Sequence, residues 1–361
     1  MSQPIRIVRT TSTQSQISSC SGALDRLQRP LRDLRISITD KCNFRCTYCM
    51  PREVFGPDYP FLAHQDLLSF EEITRVASIC TQLGLRKIRL TGGEPLLRKD
   101  IEVLIEMLAR LRTLEGEPVE IALTTNATLL AQKAKDLKEA GLQRVTVSLD
   151  ALENERFQHM SDSKIGVERV LAGIKKAHEV GLRPVKVNMV VRKGLNDDQI
   201  VPMAEYFRGR GPILRFIEYM DVGNTNGWNM QEVLTGAEIV QRISARYPLR
   251  PLSSNYRGEV ASRYAYVDGQ GEIGLITSVS QPFCGDCSRL RLSPEGKFFL
   301  CLFGSQGFDV RTHLRSAAND QEIAQFILQM WRQRDARYSE LRGQGHVESS
   351  LPKVEMSYIG G

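Results

Sequence analysis

Short stretches in which polar and apolar residues alternate recur along the first two thirds of the chain. Side chains of a β-strand point to opposite faces in turn, so each stretch predicts a strand with one polar and one apolar face. Apolar residues at helical spacing predict a helix after each strand except the last. The predicted strands are 34–40, 87–91, 120–126, 145–150, 185–191 and 214–220. The predicted helices run from a capping box at Ser69 to Gly84, and over 99–114, 129–140, 166–180 and 197–207.

Strands that alternate with helices indicate a parallel sheet with right-handed crossovers. Six such strands are too few to close a standard eight-stranded barrel. We therefore predict an α/β fold built on an incomplete (β/α)6 TIM-like barrel.

The polar faces of the predicted strands carry positive charge. Helices must cover the apolar faces, which leaves Arg35, Arg89 and Lys186 inside the barrel. Buried cations are costly without partners, so we expect a large anionic ligand there. A network of internal ion pairs is the alternative, but cations outnumber acids on these strands. The other inward positions are Ser37, Thr39, Lys87, Thr91, Thr124, Asn126, Thr146, Ser148, Asp150 and Asn188.

The composition of the 361-residue chain is that of a globular protein, with 42% apolar and 25% charged residues. No apolar run approaches the roughly 18 residues that a membrane helix needs, so we expect no membrane partner. The net charge of +6 is too small to indicate nucleic-acid binding and suits a polyanionic small molecule. Six of the eight cysteines fall in two compact triplets, a pattern expected of metal ligands in a reducing compartment.

The first triplet, Cys42, Cys46 and Cys49, has the spacing C-x3-C-x2-C and follows the first predicted strand. No histidine is close in sequence to supply a fourth ligand. Three thiolates can hold three irons of a [4Fe–4S] cube and leave the fourth iron open. A zinc site with a distant fourth ligand, or three unligated thiols, are the alternatives.

The second triplet, Cys284, Cys287 and Cys301, has the spacing C-x2-C-x13-C. A predicted strand over 296–304 brings Cys301 to the cysteine pair across a hairpin. His313 follows twelve residues after Cys301, so a Cys3His zinc site remains an alternative here. On the intervening strand, Arg289 and Arg291 share a face beside the metal and offer bidentate donors for a phosphate or a base edge.

The second predicted strand ends in Gly92-Gly93-Glu94-Pro95. Two glycines let the backbone approach a ligand closely, and Glu94 adds an acceptor. On its own this is an ordinary turn. One strand after C-x3-C-x2-C, it is similar to the radical S-adenosylmethionine (SAM) segment that holds the amino group of SAM.

The two triplets, Phe-Cys-x2-Cys-x-Arg-Leu-Arg, Cys-Leu-Phe-Gly and the terminal Gly-Gly together resemble the GTP 3′,8-cyclase family of radical SAM enzymes, which opens molybdenum cofactor biosynthesis. The resemblance runs from about Leu31 to the last residue. It implies two [4Fe–4S] clusters, with SAM on the open iron of the first and the guanine edge on that of the second. A 5′-deoxyadenosyl radical would take hydrogen from C3′ of GTP. The ribose radical would then attack C8, giving (8S)-3′,8-cyclo-7,8-dihydroguanosine 5′-triphosphate.

The resemblance also assigns residues. It implies cluster ligation by the six cysteines and SAM contacts by Tyr48, Gly93, Glu94, Ser148 and Met220. It implies GTP contacts by Arg35, Arg89, Thr124, Lys186, Arg289, Leu290 and Arg291. Catalytic roles fall to Arg35, Arg89, Arg289, Arg291, Gly360 and Gly361, with the terminal glycines reaching the active site. Ala127 departs from the family, which usually has glycine after Thr-Thr-Asn.

We predict four segments: a disordered arm over 1–30, a radical SAM partial barrel over 31–222, a smaller α+β iron–sulfur domain over 223–340 that closes the barrel, and a tail over 341–361. The arm is a bacterial extension or an organellar transit peptide, so we expect the cytoplasm or, for a transit peptide, the mitochondrial matrix. Expected partners are a flavodoxin- or ferredoxin-like electron donor and the next pathway enzyme, cyclic pyranopterin monophosphate synthase. A homodimer is possible.

Two other functions compete with this interpretation. Another two-cluster radical SAM enzyme, such as a peptide-modifying maturase, would need an open groove for its substrate, whereas the inward cations favour a nucleotide. A zinc protein that binds nucleic acid would leave Gly-Gly-Glu-Pro and the buried cations unexplained.

Overall fold

The computed structural model describes residues 22–344 and 352–360. Its strands are β1 Asp33–Ser37, β2 Lys87–Thr91, β3 Glu120–Thr125, β4 Arg144–Ser148, β5 Lys186–Val191, β6 Ile213–Glu218, β7 Leu249–Leu252, β8 Ser262–Tyr266, β9 Glu272–Ile276, β10 Arg289–Leu292, β11 Lys297–Phe299 and β12 Phe308–Asp309. Its helices are α1 Phe70–Gln82, α2 Ile101–Ala109, α3 Leu130–Glu139, α4 Asn154–Ser161, α5 Val167–Glu179, α6 Ile200–Phe207, α7 Gly236–Ser244, α8 Arg311–Leu314, α9 Asp320–Arg332, α10 Tyr338–Gly343 and α11 Met356–Ile359.

All strands join one sheet in the order β12-β11-β10-β1-β2-β3-β4-β5-β6-β9-β8-β7. Strands β1 to β6 are neighbours in chain order and run parallel, as predicted. Within the described residues, β12 and β7 form the two edges, so the sheet does not close. The predicted incomplete barrel is confirmed.

The C-terminal segment extends this sheet at both edges. Strand β10 pairs in parallel with β1, and β9 pairs in parallel with β6. The predicted hairpin between the second cysteine pair and Cys301 is present, because β10 pairs antiparallel with β11. Its second strand is shorter than the predicted 296–304 and covers only Lys297–Phe299.

The hydrophobic core lies between the outer face of the sheet and the helices. Alternate residues of β1 and β2, such as Leu34, Ile36 and Ile88, are fully buried in it. The predicted capping box of α1 is present, with the Ser69 hydroxyl accepting from the Glu72 amide at 3.1 Å. Among the described residues, no helix combines the length and the apolar character needed to cross a membrane.

Two helices differ from the sequence prediction. Helix α4 was missed, because its sequence NERFQHMS is mostly polar and offers only Phe157 and Met160 to the core. Helix α2 ends at Ala109 rather than near residue 114, where a β-bridge between Arg112 and Pro118 replaces helical pairing.

The predicted disordered arm is too long. Residues 1–21 lie outside the described residues, but 22–30 pack against the protein. Arg29 is fully buried, and Asp25 is 3% exposed. Their buried ion pair stabilises the packing of this segment, which its polar composition did not predict.

Ala127, the departure from the family pattern, adopts φ +62°. This left-handed conformation is costly for residues with a Cβ and free of that cost for glycine. The alanine methyl is buried in the core beside Gly173.

Candidate active site

A cavity of about 510 Å³ lies inside the barrel. It is lined by the predicted residues Arg35, Tyr48, Arg89, Gly93, Glu94, Thr124, Ser148, Lys186, Met220, Arg289 and Arg291, and by all six triplet cysteines. Leu290 is different, because alternation along β10 turns its side chain into the hydrophobic core. Gly361 lies outside the described residues.

The first cysteine triplet lies on the loop after β1, and none of its thiols is paired in a disulfide. The backbone amide of Cys49 donates to the carbonyl of Cys46 at 2.9 Å, which forms a tight turn. The guanidinium of Arg45 donates to the carbonyl of Cys42 at 2.8 Å. Burial, followed by the charge of Glu94, raises the pKa of the Cys42 thiol to about 12. The protein alone therefore offers little to stabilise thiolates here, and a bound metal would have to do so.

Tyr48 links this loop to the end of β4. Its hydroxyl donates to the carboxylate of Asp150 at 2.7 Å, and the same carboxylate accepts from the Val190 amide at 2.9 Å. Burial raises the pKa of Asp150 to about 6. The hydrogen bond fixes the position of Tyr48 relative to Ser148, which lines the same cavity.

The carboxylate of Glu94, for which a SAM contact is predicted, accepts hydrogen bonds within the protein. It accepts from the Thr125 hydroxyl at 2.6 Å, the Asn126 amide at 2.7 Å and the Leu96 amide at 3.0 Å. Burial raises its pKa to about 7. These bonds fasten the Gly-Gly-Glu-Pro turn to the end of β3. Gly93 is required by close packing, because a Cβ there would lie 2.3 Å from the Lys41 carbonyl oxygen.

The inward faces of β1, β2, β5 and β6 form a cationic wall, which consists of Arg35, Lys87, Arg89, Lys186 and Arg215. Burial lowers the pKa of both Lys87 and Lys186 to about 7 and that of Arg215 to about 9; neighbouring arginines add to the effect, and Asp33 opposes it at Lys87. Most of these groups therefore lack enough negative partners within the protein. An anion in the cavity would supply that charge.

Neutral side chains orient this wall. The guanidinium of Arg89 donates to the hydroxyls of Thr124 at 3.1 Å and Thr146 at 3.0 Å. Arg215 donates to the Asn188 side chain at 3.0 Å. Alternation predicted Lys87 as an inward position, whereas Arg215 was not predicted. For Arg215 the signal was available, since alternation in Leu214-Arg215-Phe216 turns it inward.

The second triplet lines the same cavity, on the loop before β10 and the turn after β11. Arg289 donates to the Cys287 sulfur from Nε at 3.3 Å and from a terminal nitrogen at 3.1 Å. Arg334, which sequence reasoning missed, donates to the same sulfur at 3.0 Å. Burial acts to raise the pKa of Cys287, but Arg289 and Arg334 lower it to about 6. This thiolate is therefore stabilised by the protein itself.

The side chains do not favour the zinc alternative. His313 stacks on Phe326 at 4.5 Å between ring centres and does not line the cavity. Two all-cysteine donor sets on one cavity instead fit thiolate-ligated iron–sulfur clusters.

The C-terminal tail returns to the site. Lys353 donates to the Asp221 carboxylate at 2.8 Å, and Glu355 accepts from the Asn224 amide at 2.9 Å. Beyond these anchors, the carbonyl of Gly360 accepts a hydrogen bond from Arg291.

Two family models match the chain. The Radical SAM superfamily matches residues 36–207, and Molybdenum Cofactor Synthesis C matches residues 213–340. The first match begins inside β1 and contains β2 to β5, and the second contains β6 to β12. The cationic wall therefore combines residues from both.

Curated relatives match nearly the whole chain. A GTP 3′,8-cyclase of Acidothermus cellulolyticus is 51% identical over 93% of this chain and 98% of its own length. One from Staphylococcus epidermidis is 47% identical with the same coverage. Among solved structures, Streptococcus suis SuiB bound to S-adenosylmethionine is similar in fold, with a TM-score of 0.55 at 14% identity over 87% of this chain and 66% of that one.

The cysteine triplets, the cationic cavity and these relatives agree. The chain belongs to the GTP 3′,8-cyclase family of radical SAM enzymes, which carries out the first step of molybdenum cofactor biosynthesis.

Proposed function

We propose that the chain binds two [4Fe–4S] clusters, with SAM beside the first and GTP between them. The observation that carries this proposal is that both cysteine triplets and the cationic wall line one cavity of about 510 Å³. That volume is within the range of roughly 300–1,000 Å³ typical of small-molecule sites.

Cys42, Cys46 and Cys49 would hold the first cluster. When bound, this cluster supplies the electron that cleaves SAM. Around it, Gly93 exposes backbone groups, and Tyr48 is held in place by Asp150. Ser148 and Met220 line the same region of the proposed SAM site. Glu94 would act by holding the turn that carries Gly93, rather than by binding SAM through a free carboxylate.

The cationic wall would bind the triphosphate of GTP. Lys87, Arg89, Lys186 and Arg215 converge from the three strands β2, β5 and β6, and phosphate oxygens are their natural acceptors. The guanine would then lie towards Arg289 and Arg291, beside the second cluster on Cys284, Cys287 and Cys301. Thr124, which already accepts from Arg89, completes the nucleotide site between them. Leu290 would contribute only its backbone, because its side chain is in the core.

The tail would close the site. Gly360 and Gly361 carry no side chains, and Arg291 already binds the Gly360 carbonyl. A closed site excludes water from a radical intermediate and fixes the distance between the reacting atoms.

The partners follow from the same chemistry. A one-electron donor of the flavodoxin or ferredoxin type would reduce the first cluster, and cyclic pyranopterin monophosphate synthase would consume the product. Unpaired thiols in both triplets suit a reducing compartment, for which we propose the cytoplasm. We retain the homodimer as a proposal.

Iron analysis of single-cysteine variants tests the two-cluster assignment. Anaerobically reconstituted protein should bind about eight irons, and Cys46→Ala and Cys287→Ala should each bind fewer. Cys46→Ala should abolish SAM cleavage, whereas Cys287→Ala should retain uncoupled cleavage without cyclisation. Cys80→Ala is the matched control, because Cys80 is buried in α1 away from the cavity. Zinc retained at either triplet after metal competition would contradict the proposal.

A further inference from the structure

A buried charge cluster lies behind the second cysteine triplet. It consists of Asp25 and Arg29 from the N-terminal segment and Arg334 from the residues just after α9, none of them more than 3% exposed. One carboxylate oxygen of Asp25 accepts from Arg29 at 2.6 Å and from Arg334 at 2.9 Å. The other accepts from the backbone amides of Leu27 and Arg29, both at 2.9 Å. Asp25 therefore fixes both guanidinium groups.

Both arginines also donate to backbone carbonyls of the second cysteine triplet and its neighbours, and Arg29 donates in addition to the Ala336 carbonyl. Arg29 donates to the Cys284 carbonyl at 2.8 Å, and Arg334 donates to the Cys287 carbonyl at 2.7 Å. Arg334 also donates to the carbonyl of Leu300, the residue before Cys301, at 3.0 Å. Two cysteines of the triplet and the residue before the third are thus tied through backbone carbonyls to one charge cluster.

Arg334 additionally reaches the Cys287 sulfur at 3.0 Å, where it joins Arg289. Two cationic donors therefore converge on one thiolate. The first triplet differs: in the described part of the chain, the only hydrogen bond to its sulfurs comes from the backbone amide of Phe44 to Cys42, at 3.4 Å. Two carboxylates, Glu94 and Asp150, also line the cavity with this triplet, and Asp150 accepts from Tyr48 of the same loop at 2.7 Å.

Reduction adds one negative charge to an iron–sulfur cluster. Hydrogen bonds to the sulfurs and nearby cations stabilise the reduced form more than the oxidised form, so they raise the reduction potential. Hydrogen bonds donated by arginine are charge-assisted, so they raise the reduction potential more than neutral donors do.

We propose that Asp25, Arg29 and Arg334 form a positioning unit for the second cluster, in which Arg334, oriented by Asp25, raises the reduction potential of that cluster above that of the first. The proposal rests on the second cluster of the proposed function. It also gives a role to the N-terminal segment 22–30. This segment lies outside the cavity and contributes Asp25 and Arg29 to the charge cluster.

A potentiometric titration followed by electron paramagnetic resonance tests this. In full-length protein with Cys42, Cys46 and Cys49 changed to Ser, only the second cluster remains, and its midpoint potential is read directly. Arg334→Met should shift that midpoint to a more negative value. The variant should fold, because Asp25 and Arg29 remain as a neutral pair. Arg334→Lys, which keeps the charge but loses the planar fork, should fall between the parent and Arg334→Met.

Arg208→Lys serves as the control, since Arg208 packs on Tyr247 and Tyr266 and does not line the cavity. Its midpoint should equal that of the parent. An unchanged midpoint in Arg334→Met, at about four irons per chain, would overturn the proposal. If Arg334→Met does not fold, the test rests on Arg334→Lys. A midpoint of Arg334→Lys equal to that of the parent would then overturn the proposal. If the parent itself binds no cluster, the two-cluster assignment fails instead.

Asp25→Asn tests the positioning by a second measurement. Removing the carboxylate charge leaves two buried cations without their anion, so the loop that they hold should loosen. Iron should then be lost to a chelator several-fold faster from the second cluster and at the parent rate from the first, measured in full-length protein with both triplets intact. Equal rates of iron loss from the second cluster of Asp25→Asn and parent would show that Asp25 does not position it.

Discussion

The guanidinium of Arg291 donates a hydrogen bond to the backbone carbonyl of Gly360, which joins strand β10 to the C-terminal tail. Gly360 adopts φ +74°, and a Cβ there would lie 2.1 Å from the Thr91 methyl carbon. Only glycine therefore fits at this position. Thr91 ends the strand that leads into the Gly-Gly-Glu-Pro turn, so the tail contacts both the proposed SAM side and the proposed GTP side of the site.

Gly360→Ala should displace the tail and reduce formation of the cyclised nucleotide by about 100-fold, because small errors in position are costly when reacting atoms must be held in place. Iron content and GTP affinity should stay close to those of the parent. Product formation at saturating SAM and GTP measures the effect. Gly343→Ala is the matched control, since nothing lies within 4 Å of a Cβ added there. Full activity in Gly360→Ala would show that the tail has no catalytic role.

The Lys353–Asp221 ion pair should hold the tail against the loop after β6. Its Nζ donates at 2.8 Å to both the carboxylate and the carbonyl of Asp221. Lys353→Met removes charge-assisted bonds worth about 1.5–3 kcal/mol, so the tail should open more often. We expect at least tenfold faster hydrogen exchange at the amide of Val354, which donates to the Gly304 carbonyl. Lys99→Met, at an exposed site, should leave that exchange unchanged. Equal exchange in Lys353→Met and the parent would contradict this anchoring.

Strand alternation predicted much of the site. It placed Arg35, Arg89, Thr124 and Lys186 inside the barrel because a two-residue period leaves little freedom once one face must be buried. The same rule, applied to β10, would have removed the Leu290 side chain from the GTP contacts.

The contacts that sequence could not predict are those between distant segments. Arg334 reaches Cys287 from the end of a helix, and Asp25 meets Arg334 across more than 300 residues. Neither contact leaves a local pattern in the sequence, because the residues that form it are far apart along the chain. The hydrogen bonds of Glu94 were unpredictable for the same reason, since its partner Thr125 ends the next strand and Asn126 follows it.

Glu94→Gln should destabilise the protein. Each oxygen of the Glu94 carboxylate accepts at least one hydrogen bond. In the glutamine variant an NH2 group replaces one of these oxygens, so it would face either the Asn126 amide or the Leu96 amide and the Thr125 hydroxyl. A buried donor without an acceptor costs about 1–3 kcal/mol, which denaturant unfolding would detect. Glu106→Gln on α2 lies outside the cavity and serves as the control. An unchanged free energy of unfolding together with weaker SAM binding would instead support a direct contact between Glu94 and SAM.

GTP binding should take up protons at pH 8. In the free protein, burial and then Arg215 lower the pKa of Lys186 to about 7, so this amine is mostly neutral at pH 8. Triphosphate charge beside it favours the ammonium form and raises the pKa again, so binding draws a proton from solution and weakens as pH rises above 7. Lys87, whose pKa is also lowered to about 7, should behave alike.

Calorimetry in buffers of different ionisation enthalpy measures the number of protons taken up. Lys186→Gln should reduce the proton uptake on GTP binding at pH 8 by about one proton. The proton uptake by Lys87 should remain. At pH 6 both amines already carry their protons, so uptake by these two groups should vanish. Lys175→Gln, on the exposed side of α5, is the matched control and should titrate as the parent does. Guanosine, which lacks phosphates, should bind without this uptake. Equal proton uptake for GTP in Lys186→Gln and the parent at pH 8 would show that the phosphates do not lie against Lys186.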